Sequence, residues 1–223
     1  MSSAGLIPLS NLQELIDLDL SGTKIDNQIT AVLATLPLVR LNCSRTAISD
    51  VGLPQLAKIS TLEDLTLSFN RGVTGVGFRV FKGAKLKKLD IGVTSFGVEG
   101  LKVLRGMQTL EELSVYETGI FQRTDALIFG TLPKLKKLNI GKNAITDDGL
   151  TGRQSLFKGC RNLEHLNLST IPTVTSAGLA GLITLKNLRY LDCSQTGVEA
   201  QGATALKQKI PELTVRIGSG EEI

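Results

Sequence analysis

The sequence predicts an α/β solenoid in which short parallel strands form one layer and helices the other. Two observations predict it. A hydrophobic triplet of the form LxxLxL returns with its leading leucine at Leu15, Leu38, Leu62, Leu86, Leu110, Leu135, Leu163 and Leu188, at intervals of 23, 24, 24, 24, 25, 28 and 25 residues. Within each unit the apolar period then changes. In Leu163, Leu166 and Leu168 the spacing shortens from three to two, as in a strand packed on one side, while Val174-Thr175-Ser176-Ala177-Gly178-Leu179 has the form of a capped helix start. One such unit cannot bury its apolar face alone, so stacked copies are expected to share a core, with the strands on the concave side.

Taken in order, Ser2 to Leu15 aligns without a gap to Thr175 to Leu188, so the chain is expected to begin inside a repeat. Its leading edge would then be covered by further chain or by a partner. Ile48-Ser49-Asp50-Val51-Gly52-Leu53 and Ile145-Thr146-Asp147-Asp148-Gly149-Leu150 open helices like the one after Val174, with Ser49, Thr146 and Thr175 placed as caps. Gly72, Gly75 and Gly77 lack the GK[ST] ending of a phosphate loop and serve the turn into a helix. The unit from Leu135 to Leu163 is the longest, and its extra residues fall in 150–158, as a longer helix or as a functional loop. Pro211 to Ile217 reads as a ninth, terminal strand and residues 218–223 as a tail. The organisation expected is one repeat domain, residues 1–217, of about eight full repeats with partial terminal units.

Composition narrows the function. Trp is absent and aromatics are 4%, so the core must be aliphatic, and one histidine leaves little for an acid–base pocket. Lys and Arg exceed Asp and Glu by 25 to 21, too mild an excess for nucleic acid unless clustered. Cys43, Cys160 and Cys193 have no CxxC spacing; Cys43 and Cys193 take the apolar strand position held elsewhere by Leu20, Leu67 and Leu168. They read as reduced, buried core residues, and with no signal peptide or membrane span in view the expected compartment is cytoplasmic. No nucleophile elbow, HExxH helix or metal set is present, so no enzyme activity, cofactor or metal is expected.

The pattern of Cys160-Arg161-Asn162-Leu163-Glu164-His165-Leu166-Asn167-Leu168 with Val174-Thr175 resembles the cysteine-containing subtype of the ribonuclease-inhibitor-like leucine-rich repeats. Leu191-Asp192-Cys193-Ser194-Gln195-Thr196-Gly197-Val198 resembles a simpler variant of that class. The resemblance implies a right-handed βα superhelix in a horseshoe arc and a binding role. It also implies an alternative: a substrate-recognition segment of a larger enzyme or effector, such as a ubiquitin-ligase component, although the F-box of that subtype is not found in this sequence.

The exposed strand positions carry the remaining information. Asp17, Arg40, Asp64, Lys88, Glu112, Lys137 and His165 alternate in sign, as do Glu63, Lys87, Glu111, Lys136, Glu164 and Arg189 one position earlier. These read as self-neutralising ladders or as an electrostatic docking strip. The next outward column, Asp19, Asn42, Thr66, Asp90, Ser114, Asn139, Asn167 and Asp192, is small and polar. At the carboxyl ends of the strands regularity is lost in Gly22, Arg45, Phe69, Val93, Glu117, Lys142, Thr170 and Gln195. Phe69, Val93 and Tyr116, rimmed by Arg45, Glu117 and Lys142, are the candidate protein-binding cluster, or else scattered surface hydrophobes. The partner expected is a protein, with neither nucleic acid nor membrane involved.

Overall fold

In a computed structural model, residues 2–120, 128–151 and 155–223 are described. The chain forms two compact units, residues 1–110 and 111–223. In the first, strands β1 (Asp17–Asp19), β2 (Arg40–Asn42), β3 (Asp64–Thr66) and β4 (Lys88–Asp90) pair in parallel in sequence order. The register sets Leu18, Leu41, Leu65 and Leu89 in one row. The second contains β5 (Glu112–Ser114), β6 (Lys137–Asn139), β7 (His165–Asn167), β8 (Tyr190–Asp192) and β9 (Thr214–Ile217), again parallel, with Leu113, Leu138, Leu166, Leu191 and Val215 in register. Residues 218–223, read from sequence as a tail, turn back through Gly218 and Gly220, and β10 (Glu221–Glu222) pairs antiparallel to β9. Val215 and Ile223 exchange both backbone hydrogen bonds, 3.1 and 2.8 Å, so the last strand edge of this unit is closed by its own chain.

The helical layer is slighter than the sequence pattern predicts. Among the described residues only α3 (Gly97–Leu104) and α5 (Ala200–Lys209) are α-helices longer than one turn, while α1 (Thr30–Leu33), α2 (Leu53–Leu56) and α4 (Asp147–Leu150) are single turns. Gly77–Phe81 and Gly178–Thr184 are 3-10 helices, and Ser3–Asn11 repeats the latter in the first unit. The alignment of Ser2 with Thr175 holds in the backbone as well, since the Ser2↔Lys24 bridge matches Thr175↔Gly197. Close approach between repeats explains the recurrent glycines: a Cβ on Gly75 would lie 2.0 Å from the Gly100 nitrogen, and one on Gly181 would lie 2.0 Å from the Leu150 carbonyl. These glycines are spacers between stacked turns rather than only helix openers.

The caps also differ. Neither Thr146 nor any side chain at the start of α2 closes its helix with a hydrogen bond. The polar residues there reach across to the neighbouring repeat instead. Asp147 accepts from the Thr175 backbone nitrogen (2.8 Å) and hydroxyl (2.6 Å), Asp50 does the same for Thr74 (2.7 and 2.6 Å), and Asn27 Oδ1 accepts from the Ser49 nitrogen (2.9 Å). Only then does the Thr175 hydroxyl accept from Ala177 N, 3.2 Å away. Ser49 and Thr146, expected as caps, therefore close no helix start, and the acidic and amide side chains beside them bond the next repeat, which only stacking brings within reach.

The core is aliphatic, with Phe78 stacked on Phe81 at 4.7 Å and edge-on to Phe96 at 5.3 Å in the first unit. Of the longest repeat, residues 152–154 lie outside the described residues. On either side α4 ends at Leu150, and Ser155, Leu156 and Phe157 are buried.

All three cysteines are buried and unpaired, and burial pushes each thiol up to about 12. The unfolded thiol titrates near about 8.5, so the protonated folded form contributes stability in full below that pH and loses it as pH rises towards the folded value. At a pH of about 8 a disulfide reagent should label Cys43, Cys160 and Cys193 only as fast as the chain opens. Labelling of any of them at the rate of the denatured protein would contradict this.

Candidate interaction surface

Two rows of backbone geometry build the exposed face. In the polar column the Asp or Asn side chain accepts from its own chain two residues on: Asp19 from Ser21 N (2.7 Å), Asn42 from Ser44 N (3.0 Å), Asp90 from Gly92 N (2.9 Å), Asn139 from Gly141 N (3.1 Å), Asn167 from Ser169 N (2.8 Å) and Asp192 from Ser194 N (2.8 Å). This is the Asx turn, and it explains the column's composition without a ligand. The Ser21 hydroxyl and backbone N–H hold the Asp19 carboxyl below the usual carboxylate range. One row bond also forms, Asn42 Nδ2 donating to Asp19 at 3.1 Å.

The Asx turn leads into the chemically irregular column, which is geometrically the most regular of all. Gly22, Arg45, Phe69, Val93, Glu117, Lys142, Thr170 and Gln195 all have φ between 52° and 67°. Left-handed backbone costs a side-chain-bearing residue about 1 kcal/mol or more. The cost is offset because these N–H groups extend the sheet ladder: Arg45 N donates to Ser68 O, Phe69 N to Gly92 O, Glu117 N to Gly141 O and Lys142 N to Ser169 O, all within 2.8 to 3.0 Å. The left-handed turn also throws most of these side chains off the sheet. Five of the six residues singled out from sequence, Arg45, Phe69, Val93, Glu117 and Lys142, therefore share this left-handed backbone.

Arg45, Phe69 and Val93 belong to the first unit. The Arg45 guanidinium carbon lies 4.1 Å from the Phe69 ring centroid, and Phe69 is 46% exposed. Val93 does not join an exposed cluster: it is only 7% exposed, packed at the sheet end. Tyr116, Glu117 and Lys142 belong to the second unit. The half-buried Tyr116 ring covers Gly141, where a Cβ would come within 2.9 Å of it, and Lys142 Nζ pairs with Glu117 at 3.0 Å.

The charge ladders form as the register requires. Arg40 pairs with Asp17 (2.7 Å) and Lys87 with Glu63 (2.8 Å) in the first unit; Lys136 pairs with Glu111 (2.9 Å) and Lys137 with Glu112 (3.1 Å) in the second. Glu111 raises the Lys136 pKa. Pairs this exposed contribute little, because water and salt screen them. In the second unit the ladder changes character at His165 and Tyr190, whose rings lie 6.2 Å apart, and the His165 Nδ1 is buried without a hydrogen bond. Tyr190 was not among the sequence candidates, although the position before Leu191 continues the column through His165 and could have flagged it. Among the described residues no group of three or more His, Cys, Asp or Glu could hold a metal ion, and no helix is long and apolar enough to cross a membrane.

Residues 131–152 match the family model described as Leucine Rich repeat. A search of curated proteins finds no match to the sequence. Among solved structures, internalin C2 of Listeria monocytogenes is similar over 84% of this chain and 73% of its own, with 20% identity and a TM-score of 0.63. A second Listeria monocytogenes internalin aligns with 97% of this chain, which spans 64% of it, at 20% identity and a TM-score of 0.69. A leucine-rich-repeat protein of Leptospira interrogans aligns with 94% of this chain and 62% of its own, at 18% identity and a TM-score of 0.58. With its repeated strand, left-handed turn and short helix, this chain has the leucine-rich-repeat fold.

Proposed function

We propose that the chain is a non-catalytic protein-interaction scaffold, belonging to the cysteine-containing repeat subclass, that holds a protein partner through its exposed sheet face and strand-end turns. Leucine-rich-repeat proteins act generally in protein–protein interaction, and the observation that carries the reading is the Arg45–Phe69 pair. A ring 46% exposed, with a guanidinium 4.1 Å from its centroid and a backbone fixed by the repeat ladder, offers a partner apolar area and donors with little ordering cost. Tyr116, braced on Gly141, plays the same part in the second unit. Three buried, unpaired thiols support a reducing compartment, which we take to be the cytoplasm.

Phe69→Ala and Phe69→Gly separate binding from folding. Alanine keeps the strain of the left-handed turn and glycine relieves it, so the glycine variant should be the more stable of the two while both remove the ring. A partner captured by the native chain should lose about tenfold or more in affinity to both variants and to Tyr116→Ala. Unchanged affinity in all three would remove these side chains from the interface.

A further inference from the structure

The opposite edge of the second unit, where the chain enters its strands, carries a row of cations that the ladders do not neutralise. Lys134, Arg161, Lys186 and Lys209 are exposed and precede β6, β7, β8 and β9 in turn. Along the first three of these turns the chain is tied laterally: Asn162 Nδ2 donates to the Pro133 carbonyl at 2.7 Å, and Asn187 Nδ2 to the Arg161 carbonyl at 2.8 Å. Successive turns are thus held about 5 Å apart, one strand spacing. Lys186 and Lys209 further share a cleft of about 340 Å³ with Arg189, Pro211 and Glu212. Glu212 pairs with Arg189 at 3.1 Å, and among the described residues no ion pair forms at Lys134, Arg161, Lys186 or Lys209.

Helix dipoles account for only part of this row. Lys207 and Lys209 lie in the last turn of α5, where the carbonyl end favours a cation. The helical segments Phe129–Thr131 and Gly178–Thr184 have no basic residue in their last turns, so Lys134 and Lys186 answer to no such field. Four cations outside any ion pair thus stand at successive strand entries, and the Glu212 carboxylate of the cleft is engaged by Arg189.

From this geometry we infer that the strand-entry edge of the second unit docks an acidic polypeptide segment lying across the turns before β6 to β9. Four turns span about 15 Å, which roughly five extended residues cover. Recognition of nucleic acid is disfavoured because Asn162 and Asn187 spend their amides on backbone carbonyls and no aromatic residue stands in the row to stack a base. An inserting membrane contact is disfavoured because, among the described residues, the exposed large hydrophobic side chains, from Ile7 to Val80, belong to the first unit.

The test uses the full chain and a fluorescein-labelled oligoglutamate peptide, read by anisotropy. Binding should weaken steeply between about 50 and about 200 mM salt, as screening shortens the reach of the exposed charges. The double variant Arg161→Glu/Lys186→Glu should lose about tenfold or more in affinity while keeping the native melting curve. Lys82→Glu/Lys85→Glu, an equal change of net charge on exposed lysines of the first unit, should bind as the native chain does. Absence of peptide binding, or equal losses in the two double variants, would overturn the assignment. So would binding of a DNA duplex or of phosphatidylserine vesicles as tight as that of the peptide. Phe69→Ala should leave oligoglutamate binding unchanged, so this edge and the Arg45–Phe69 surface can fail independently.

Discussion

Asn143→Ala is expected to cost about 2 to 6 kcal/mol of folding stability. Asn143 is 8% exposed, and its amide bonds five backbone groups on two repeats, the Gly141 carbonyl (3.2 Å) among them. Its Nδ2 donates to the carbonyls of Val115 (2.8 Å) and Ile140 (2.9 Å), while its Oδ1 accepts from the backbone nitrogens of Thr118 (3.2 Å) and Ile120 (3.0 Å). Thr118 and Ile120 are buried, so alanine would leave two N–H groups without water or partner, each costing about 1 to 3 kcal/mol. Most repeats place threonine here: the Thr118 hydroxyl donates to its own Val115 carbonyl at 2.8 Å, and the Thr94 hydroxyl to the Ile91 carbonyl at 2.7 Å. Asn143→Thr should therefore be milder than Asn143→Ala. Urea denaturation read by circular dichroism ranks them, and equal midpoints for alanine and the native chain would show that the inter-repeat bonds contribute nothing.

Leu166→Ala should cost about 2 to 5 kcal/mol through lost transfer energy and the cavity left behind. Leu166 is 1% exposed at the centre of β7, between Leu138 and Leu191 in register, with strands on both sides to resist collapse. Leu18 occupies the same position in β1 but is half-buried, so Leu18→Ala should cost distinctly less. A smaller loss at Leu166 than at Leu18 would break the assigned register.

Leu166 and Leu18 hold the same position of the repeat and differ only in what packs around them. LxxLxL names the inward residue of every strand because the period of two leaves no other face, and the observed register confirms each row. The ladders of Arg40 with Asp17 and Lys136 with Glu111 were legible for the same reason: parallel strands of nearly equal spacing place equal positions side by side. Val93 shows where the reading stops. Its column was recognised as irregular, yet whether a side chain in that column stands out like Phe69 or sinks to 7% exposure depends on what surrounds the turn.

The sequence by itself determined the strand, its inward leucines, the repeat period and the aliphatic core, because these follow from local periodicity and from composition. Tertiary structure alone decided what the polar residues do. Asp147 meets Thr175, Asn143 meets Thr118 and Asn187 meets the Arg161 carbonyl across 28, 25 and 26 residues of chain. A hydrogen bond is directional and short, so its partner is settled only when stacking brings the next repeat within about 3 Å.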